Sequence, residues 1–193
     1  MTEPTMDRLL EAFLTITSER GLDLATMREV AAATGVSVGT VQYYFRTKDE
    51  MLLRAFEHTI GRITTRAAGI AREGPVGSVV RKVLLEFLPM DDLRRRESRV
   101  YLAFAARAAV TPALASYQHS LLAGLREQCA AAYRLAQERG EGVGEFVPES
   151  AAIETAALVD GLILQMLSDP DGLPPATASE VLDTHLRRYV AID

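Results

Sequence analysis

The stretch Thr34–Leu52 reads TGVSVGTVQYYFRTKDEML. It places Tyr43, Tyr44 and Phe45 side by side, although the whole chain has only six Tyr, six Phe and no Trp. The segment is also punctuated by glycine and carries Arg46 and Lys48. A hydrophobic core would not need all three aromatic rings, so at least one of them is expected to face outward.

Local start and stop signals divide this region into two short helices. Thr26 and Glu29 form a Thr-x-x-Glu capping box, which predicts a helix from Met27 to about Thr34. Gly35 then turns the chain, and Ser37 can cap a second helix that runs to about residue 45. Two short helices joined through a glycine turn are typical of a helix-turn-helix.

A helical wheel separates the side chains of the second helix into two faces. Val41 and Phe45 share the inner face, with Val38 and Tyr44 at its edges. The outward face and its flank comprise Gly39, Thr40, Gln42 and Tyr43. The wheel therefore predicts Phe45 in the core and Tyr43 outside it.

The outward face suits DNA chemistry. In a helix-turn-helix the second helix enters the major groove, where the Gln42 amide can bond to an adenine edge. The hydroxyls of Tyr43 and Tyr44 and the ammonium of Lys48 can reach phosphates, which positions a protein without reading sequence. A structural alternative stays open, because this shape is also a common way to pack short helices, with Tyr43 as an ordinary surface tyrosine.

The net charge of −5 does not exclude nucleic acid. Counterion release depends on the few cations that reach phosphates, rather than on the total charge. Between Thr26 and Lys48 the ionisable residues are Arg28, Glu29, Arg46 and Lys48. The segment is therefore locally basic.

The remainder of the chain also has helical periodicity, and the predicted class is all-α with about nine helices. The helices after the first three are expected to begin at another capping box (Thr47 and Glu50), at Ser78, at Asp91, at Thr111-Pro112, at Ala151 and after a third capping box (Thr177 and Glu180). A functional boundary inside the fourth helix divides a DNA-binding domain, residues 1–50, from a helical domain for effector binding and dimerisation, residues 51–193.

Catalytic and metal-binding patterns are missing from the sequence. His58, His119 and His185 lie on separate predicted helices, without metal-ligand spacing, and Cys129 is the only cysteine. We therefore expect no enzyme activity, no cofactor and no metal site. The N-terminus lacks a signal-peptide pattern and no apolar run reaches a membrane span, so a cytoplasmic location without membrane association is expected.

The segment TMREVAAATGVSVGTVQYYFRTKDEML, Thr26–Leu52, resembles the DNA-binding segment of the tetracycline-repressor-like (TetR) regulators. The matching positions include Val30, Ala31, Gly35–Ser37, Gly39, Val41, Phe45, Lys48, Met51 and Leu52. The resemblance implies base contacts from Arg28, Val38, Gly39, Thr40 and Gln42. It implies phosphate contacts from Thr26, Ser37, Tyr43, Tyr44 and Lys48.

Two residues depart from the family pattern. Gln42 stands where the family usually has Tyr, and Tyr44 stands where His is common. Gln42 replaces an apolar contact to thymine methyl groups with an amide, so the operator preference is expected to differ. The two arguments disagree on Val38. The helical wheel places it towards the core, whereas the resemblance implies that it faces bases.

The stretch ALVDGLILQMLSDPDGL, Ala157–Leu173, resembles regulatory domains of the betaine-pathway-repressor (BetI) type. The family implies a homodimer joined by the last two long helices. The candidate interface residues are Ile153, Ala156, Ala157, Leu164, Leu167, Val181, Leu182, Leu186 and Tyr189. These apolar stripes could instead complete the core of the monomer.

The family also implies an effector pocket among the helices between Ile70 and Leu167. Its candidate lining residues are Phe87, Tyr101, Phe104, Arg107, Tyr117, Leu121, Cys129, Tyr133, Asp160 and Met166. Arg107 and Asp160 could pair with each other or bind a polar end of a ligand, or Arg107 could lie at the surface. Mostly apolar walls suggest a small, largely hydrophobic effector of unknown identity.

The predicted function is therefore a sequence-specific transcriptional regulator. By the family's majority behaviour, it would be a ligand-responsive repressor that binds a pseudo-palindromic, double-stranded operator as a homodimer. The alternative is a helical protein that binds a small molecule without binding DNA.

Overall fold

The computed structural model covers residues 3–192 of the chain, with side chains placed from Met6 to Ile192. These residues form nine α-helices, a short 3-10 turn at Leu22–Leu24 and one isolated β-bridge between Gly142 and Val190. The helices are α1 Glu3–Arg20, α2 Met27–Thr34, α3 Val38–Tyr44, α4 Lys48–Ala68, α5 Val76–Leu85, α6 Asp92–Ala108, α7 Pro112–Glu138, α8 Pro148–Ser168 and α9 Pro175–Leu186. The predicted all-α class is confirmed.

The chain divides into two compact units. Among the described residues, the N-terminal unit contains 3–62 and 95–116, and the C-terminal unit contains 63–94 and 117–192. The first fifteen residues of α4 and most of α6 thus pack with the helix-turn-helix. This structural division differs from the predicted boundary at residue 50, which was drawn on function and stays a prediction.

The three helix starts around the helix-turn-helix are capped as the sequence predicts. Thr26, Ser37 and Thr47 each accept a hydrogen bond from the backbone N–H three residues later, at 3.2, 3.0 and 3.0 Å. The first box is only half formed, because Glu29 turns away from the cap and binds Arg20 at 2.8 Å. These starts depend on hydrogen bonds within one turn, which is why local sequence is sufficient to predict them.

Among the later helices, the start of α7 at Pro112 agrees with the prediction and that of α6 differs by one residue, whereas the other three differ by more. The capping box at Thr177 and Glu180 is wrong: α9 begins two residues before Thr177, at Pro175, with no side-chain cap. Proline at the first helical position already has the required φ and has no N–H to satisfy. Proline also opens α8 at Pro148, ahead of the predicted Ala151.

The C-terminal unit is centred on a buried polar network that joins three helices. The Tyr133 hydroxyl of α7 lies 2.7 Å from Thr155 Oγ1 of α8, which lies 2.8 Å from His185 Nε2 of α9. Thr155 donates to the backbone carbonyl of Ala151 at 2.8 Å, so the tyrosine and the imidazole act as donors to it. Because each buried polar group has a partner, the network holds the three helices in one register.

The end of the chain packs closely against α5. A Cβ added to Gly77 would lie 2.2 Å from the carbonyl oxygen of Ala191, so only glycine fits there without a shift. The backbone N–H of Ala191 donates to the carbonyl of Glu141 at 3.0 Å, and the Glu141 carboxylate accepts from the N–H of Val76. This tertiary cap lets α5 begin at Val76, ahead of the predicted Ser78.

Helix α8 is long and apolar enough, by composition alone, to cross a membrane, and it is the one such helix in residues 3–192. Val159, Leu162 and Met166 are nevertheless buried inside the C-terminal unit.

The His185 network predicts that stability depends on pH. Burial lowers the pKa of His185 from 6.5, with the nearby Arg188 adding to the effect, so the folded state favours the neutral imidazole. Below pH 6.5 the unfolded chain binds a proton that the folded chain resists, and stability is lost as the pH falls towards the lowered value. We expect the melting temperature to fall from pH 7.5 to pH 5.5, and to fall less in His185→Gln, whose amide can still donate to Thr155.

The matched control is His119→Gln, at an exposed histidine of α7. Its melting curve should follow the wild type across the same pH range. A His185→Gln protein with the full wild-type pH dependence would show that His185 is not the titrating group.

Candidate DNA-binding surface

The rotation of α3 is fixed by the side chains buried beneath it. Val41 and Phe45 are fully buried, and α3 packs against α2, whose buried residues are Val30 and Ala31. Tyr43, on the opposite side, is 79% exposed. The predicted division of the aromatic cluster is therefore confirmed, with Phe45 as core and Tyr43 on the surface.

The turn between α2 and α3 depends on Gly35. This residue has φ +70° and ψ +24°, in the left-handed region that residues with a Cβ rarely adopt. Its N–H and that of Val36 both bond to the carbonyl of Ala31, which ends α2 within one turn. The sharp reversal brings the start of α3 beside the end of α2, as a helix-turn-helix requires.

The outward surface of α3 contains the residues predicted to face bases. Gly39 and Gln42 are exposed, and Thr40 is half-buried, its hydroxyl 2.9 Å from that of Ser37. Val38 is 38% exposed, so the helical wheel was wrong to place it towards the core. Few neighbouring residues cover the side chains in the first turn of a short helix. Their burial therefore does not follow from the helical-wheel angle alone.

The phosphate-binding candidates flank this surface. Thr26 and Ser37 are exposed at the helix starts, and the rings of Tyr43 and Tyr44 meet edge to face with centroids 5.3 Å apart. Tyr44 is half-buried, as the wheel predicts for a ring at the edge of the core. This edge contact restricts Tyr43, so its hydroxyl is partly oriented before any ligand binds.

Lys48 already has one partner within the protein. Its ammonium donates to the backbone carbonyl of Asp23 at 3.1 Å, in the turn between α1 and α2. An ammonium has three donors, so this bond leaves two for a phosphate. Arg28, on α2, is exposed and extends the basic surface.

The connection from α3 to α4 is short and well ordered. The N–H of Arg46 donates to the Glu50 carboxylate at 2.9 Å, while the N–H of Glu50 donates to Thr47 Oγ1 at 3.0 Å. Together these two bonds join the end of α3 to the first turn of α4. A movement of that turn would carry α3 with it.

Asp49 is the residue of this region that sequence reasoning missed. Its carboxylate accepts two hydrogen bonds from Arg107 of α6, both at 3.0 Å. The bond to Asp49 raises the pKa of the exposed Arg107 guanidinium. No local pattern could have indicated this pair, because its members are 58 residues apart.

Comparisons with known proteins agree with this geometry. The family model described as "Bacterial regulatory proteins, tetR family" matches residues 9–55, and the model for the C-terminal part of the BetI-type transcriptional repressors matches residues 78–191. The second match alone spans more than half of the chain. The chain belongs to the TetR family of bacterial regulators.

Similar proteins extend the TetR assignment over the whole chain. The HTH-type transcriptional regulator PksA of Bacillus subtilis is 30% identical over 99% of this chain and 92% of its own length. A transcriptional regulator from Rhodococcus sp. Rha1 has 31% identity and a TM-score of 0.87, covering 97% of this chain and 99% of its own. A Saccharomonospora viridis protein solved in complex with choline shares the fold, with a TM-score of 0.87 at 21% identity over 99% and 100% of the two chains.

Membership of the TetR family gives the chain its general function. The chain is a DNA-binding transcriptional regulator with a helix-turn-helix, and its BetI-type C-terminal part is that of a repressor. Its relatives are transcriptional regulators, and no group of three or more His, Cys, Asp or Glu that could hold a metal ion occurs among the described residues.

The candidate effector residues are divided between the two compact units. Tyr101 and Phe104 are buried in the N-terminal unit, where Phe56 of α4 stacks on Phe104 with centroids 3.9 Å apart. Arg107, in the same unit, pairs with Asp49, so the suggested pairing with Asp160 is not the one observed, and its surface position fits the alternative. The other candidates lie in the C-terminal unit: Phe87, Tyr117, Leu121, Cys129, Tyr133, Asp160 and Met166.

Within the C-terminal unit, Tyr133 belongs to the buried core and Cys129 is half-buried. Tyr133 is fully buried, and its hydroxyl is bound to Thr155. Burial raises the pKa of the Cys129 thiol to about 11, so the thiol stays protonated at neutral pH and is a poor nucleophile. Asp160 lies about 120° around α8 from the buried Met166, so these two do not face the same side.

The candidate dimer residues separate into exposed and buried groups. On α8, Ile153 and Leu164 are 54% and 53% exposed, and Ala157 lies on the same helical face. Ala156 and Leu167 are half-buried at the edge of that face. On α9, Val181 is exposed, but Leu182 and Leu186 are buried inside the subunit, as is Tyr189 just after the helix. The burial of these three fits the alternative, that this stripe completes the core of the monomer.

Gly39 provides a test of the DNA-facing surface. A Cβ added there would meet only Ser37 Oγ, at 3.6 Å, an ordinary contact, so the free protein has no need for glycine at this position. We expect Gly39→Ala to stabilise the free protein by about 0.5–1 kcal/mol, because alanine loses less backbone entropy in a helix. It should weaken operator binding roughly tenfold, because a methyl group would intrude where bases approach.

Thermal unfolding measures the expected gain in stability, and fluorescence anisotropy measures the expected loss of operator affinity. Gly124→Ala is the matched control, since Gly124 lies in α7 and a Cβ there meets open space. It should stabilise the protein without changing its affinity for DNA. Unchanged operator affinity in Gly39→Ala would remove Gly39 from the contact surface.

Proposed function

We propose that this regulator is a ligand-responsive repressor that binds a pseudo-palindromic operator as a homodimer, with α3 in the major groove. The observation that carries the proposal is the rotation of α3, which buries Val41 and Phe45 and leaves Gly39, Gln42 and Tyr43 outward. A two-fold dimer presents two such helices about 34–36 Å apart, one turn of B-DNA. A cytoplasmic location follows from this role.

Within this surface, we assign base readout to Arg28, Val38, Gly39, Thr40 and Gln42. The Gln42 amide has the geometry to bond an adenine edge through a donor and an acceptor together. Phosphate contacts fall to Thr26, Ser37, Tyr43, Tyr44 and Lys48. The exposure of Tyr43 and the spare donors of Lys48 support this division.

The homodimer is supported by the exposed apolar face of α8. Ile153, Ala157 and Leu164 lie on one side of the helix, away from the core residues of the C-terminal unit. A second copy of the same face would cover these side chains by two-fold symmetry. Val181 of α9 adds a further exposed apolar side chain.

We propose a small, largely hydrophobic effector for the BetI-type domain. The Saccharomonospora viridis relative was solved with choline, which offers a second class of ligand to compare. An effector lowers operator affinity only if it binds one shape of the dimer better than the other. In this family the expected change is in the angle of α4, which is separated from α3 by three residues.

Selection of bound DNA from a random pool tests the proposal directly. We expect recovery of a pseudo-palindrome with half-sites about one helical turn apart. Gln42→Ala should relax the preference at one position of each half-site, whereas Lys48→Ala should weaken binding to all sequences and reduce the salt dependence by about one phosphate contact. The recovered operator can then be challenged with apolar aromatic compounds and with choline.

Recovery of unselected DNA would contradict sequence-specific binding. Release by choline alone would contradict a hydrophobic effector and leave the operator proposal intact. Tyr43→Phe, which removes only the hydroxyl, provides a finer variant and should weaken binding by a few fold if that hydroxyl contacts a phosphate.

The dimer is tested by placing a charge on the exposed face of α8. The Leu164→Glu subunit should fold and be as stable as a wild-type subunit outside the dimer, because Leu164 is not part of the subunit core. It should sediment as a monomer at micromolar concentration, because two carboxylates would be buried at the centre of a symmetric interface. Analytical ultracentrifugation gives the oligomeric state.

Leu135→Glu is the control, since Leu135 is an exposed leucine of α7, outside the proposed interface. This variant should sediment like the wild type. A Leu164→Glu protein that remains dimeric would move the interface away from this face of α8.

A further inference from the structure

The first turn of α4 is held from outside the helix-turn-helix by one residue of α6. Arg107 Nε donates to Asp49 Oδ1 and Arg107 Nη2 donates to Asp49 Oδ2, each at 3.0 Å. Two parallel bonds of this kind fix the direction of the contact as well as its distance. The contact therefore resists both sliding and rotation of the turn.

The Arg107–Asp49 pair lies at the end of the α4–α6 contact that is nearer to α3. Two turns further along α4, Phe56 stacks on Phe104 with centroids 3.9 Å apart and ring planes within 5°. The two helices run antiparallel there, since higher numbers on α4 meet lower numbers on α6. The aromatic stack fixes the middle of α4, and the ion pair fixes its start.

The start of α4 in turn determines where α3 lies. Only Phe45, Arg46 and Thr47 separate the two helices, and Phe45 is fully buried. The Glu50 carboxylate holds the N–H of Arg46, so the connection moves with the first turn of α4. Thr47 and Glu50 use their side chains inside the cap, and Asp49 of the same turn bonds to α6.

We propose that Arg107 is a positioning residue for operator recognition: its bidentate pair with Asp49 holds the first turn of α4, and α3 with it, in the orientation that binds DNA. This inference rests on the proposed function. It assigns a role in DNA binding to a residue of α6 that lies outside the helix-turn-helix and needs no DNA contact of its own.

The size of the effect follows from a population argument. An exposed ion pair contributes little, and side-chain exposures of 46% and 34% put this pair in that class. Suppose that the pair stabilises the DNA-binding orientation of α3 by this small free energy. Loss of the pair then lowers the fraction of the protein that is in that orientation, and the apparent affinity for the operator falls by the same factor. We therefore expect Arg107→Gln to weaken operator binding about three- to fivefold at low salt, and less at high salt.

The test is a double-mutant cycle with two readouts on the full-length protein. The variants are Arg107→Gln, Asp49→Asn and the double variant, with fluorescence anisotropy on the selected operator. Arg107→Gln should weaken binding when it is introduced into the wild type and have little effect when it is introduced into the Asp49→Asn variant, since its partner is already lost there. Amide hydrogen exchange over residues 46–52 should accelerate in both single variants, because either one frees the first turn of α4.

The exchange measurement separates positioning from simple charge neutralisation beside DNA. If Arg107 only neutralised Asp49, exchange in residues 46–52 would not change in either variant, and the proposal would be overturned. It would also be overturned if Arg107→Gln weakened binding equally in the wild type and in the Asp49→Asn variant, because Arg107 would then act without Asp49.

Arg54→Gln is the matched control, since Arg54 and Glu57 form another exposed ion pair on α4. It should change neither the exchange nor the affinity. The wild-type result shows which of the two proposals fails. If the wild type selects no operator, the proposed function fails. If it selects an operator and the Arg107 variants match it in both readouts, only the positioning role fails.

Discussion

Burial of Val41 and Phe45 is the constraint on which the DNA-binding surface depends. Two side chains four residues apart lie on the same side of a helix, and burying both fixes its rotation. Once that rotation is set, Gln42 and Tyr43 must point away from the core. The Gly35 turn adds the second condition, because its positive φ places α3 beside α2.

The contacts that hold α3 in place extend beyond the helix-turn-helix itself. The cap at Thr47 and Glu50 joins α3 to α4, and α6 packs along α4 within the same compact unit. Helix α6 is therefore a structural part of the DNA-binding unit. An aromatic stack and an ion pair hold α4 against α6 at two points along its length.

Prediction from the sequence succeeded where the determining interaction is local. The caps at Thr26, Ser37 and Thr47 each close over three residues, and all three were predicted correctly. It failed at α9, where a Thr-x-x-Glu pattern occurs inside the helix that Pro175 begins. A capping pattern shows that a residue can cap, but the start is decided by which residue first adopts helical dihedral angles.

The candidate site shows the same difference between local features, which the sequence predicts, and contacts between distant residues, which it does not. The sequence was sufficient for the all-α class, the helix-turn-helix and the separation of Phe45 from Tyr43, since each follows from residues within one or two turns of each other. Tertiary structure decided that Leu182, Leu186 and Tyr189 belong to the subunit core, and that Arg107 pairs with Asp49. Periodicity shows which residues share a face of a helix, but only packing shows what that face meets, because the contact joins residues that are far apart in the chain.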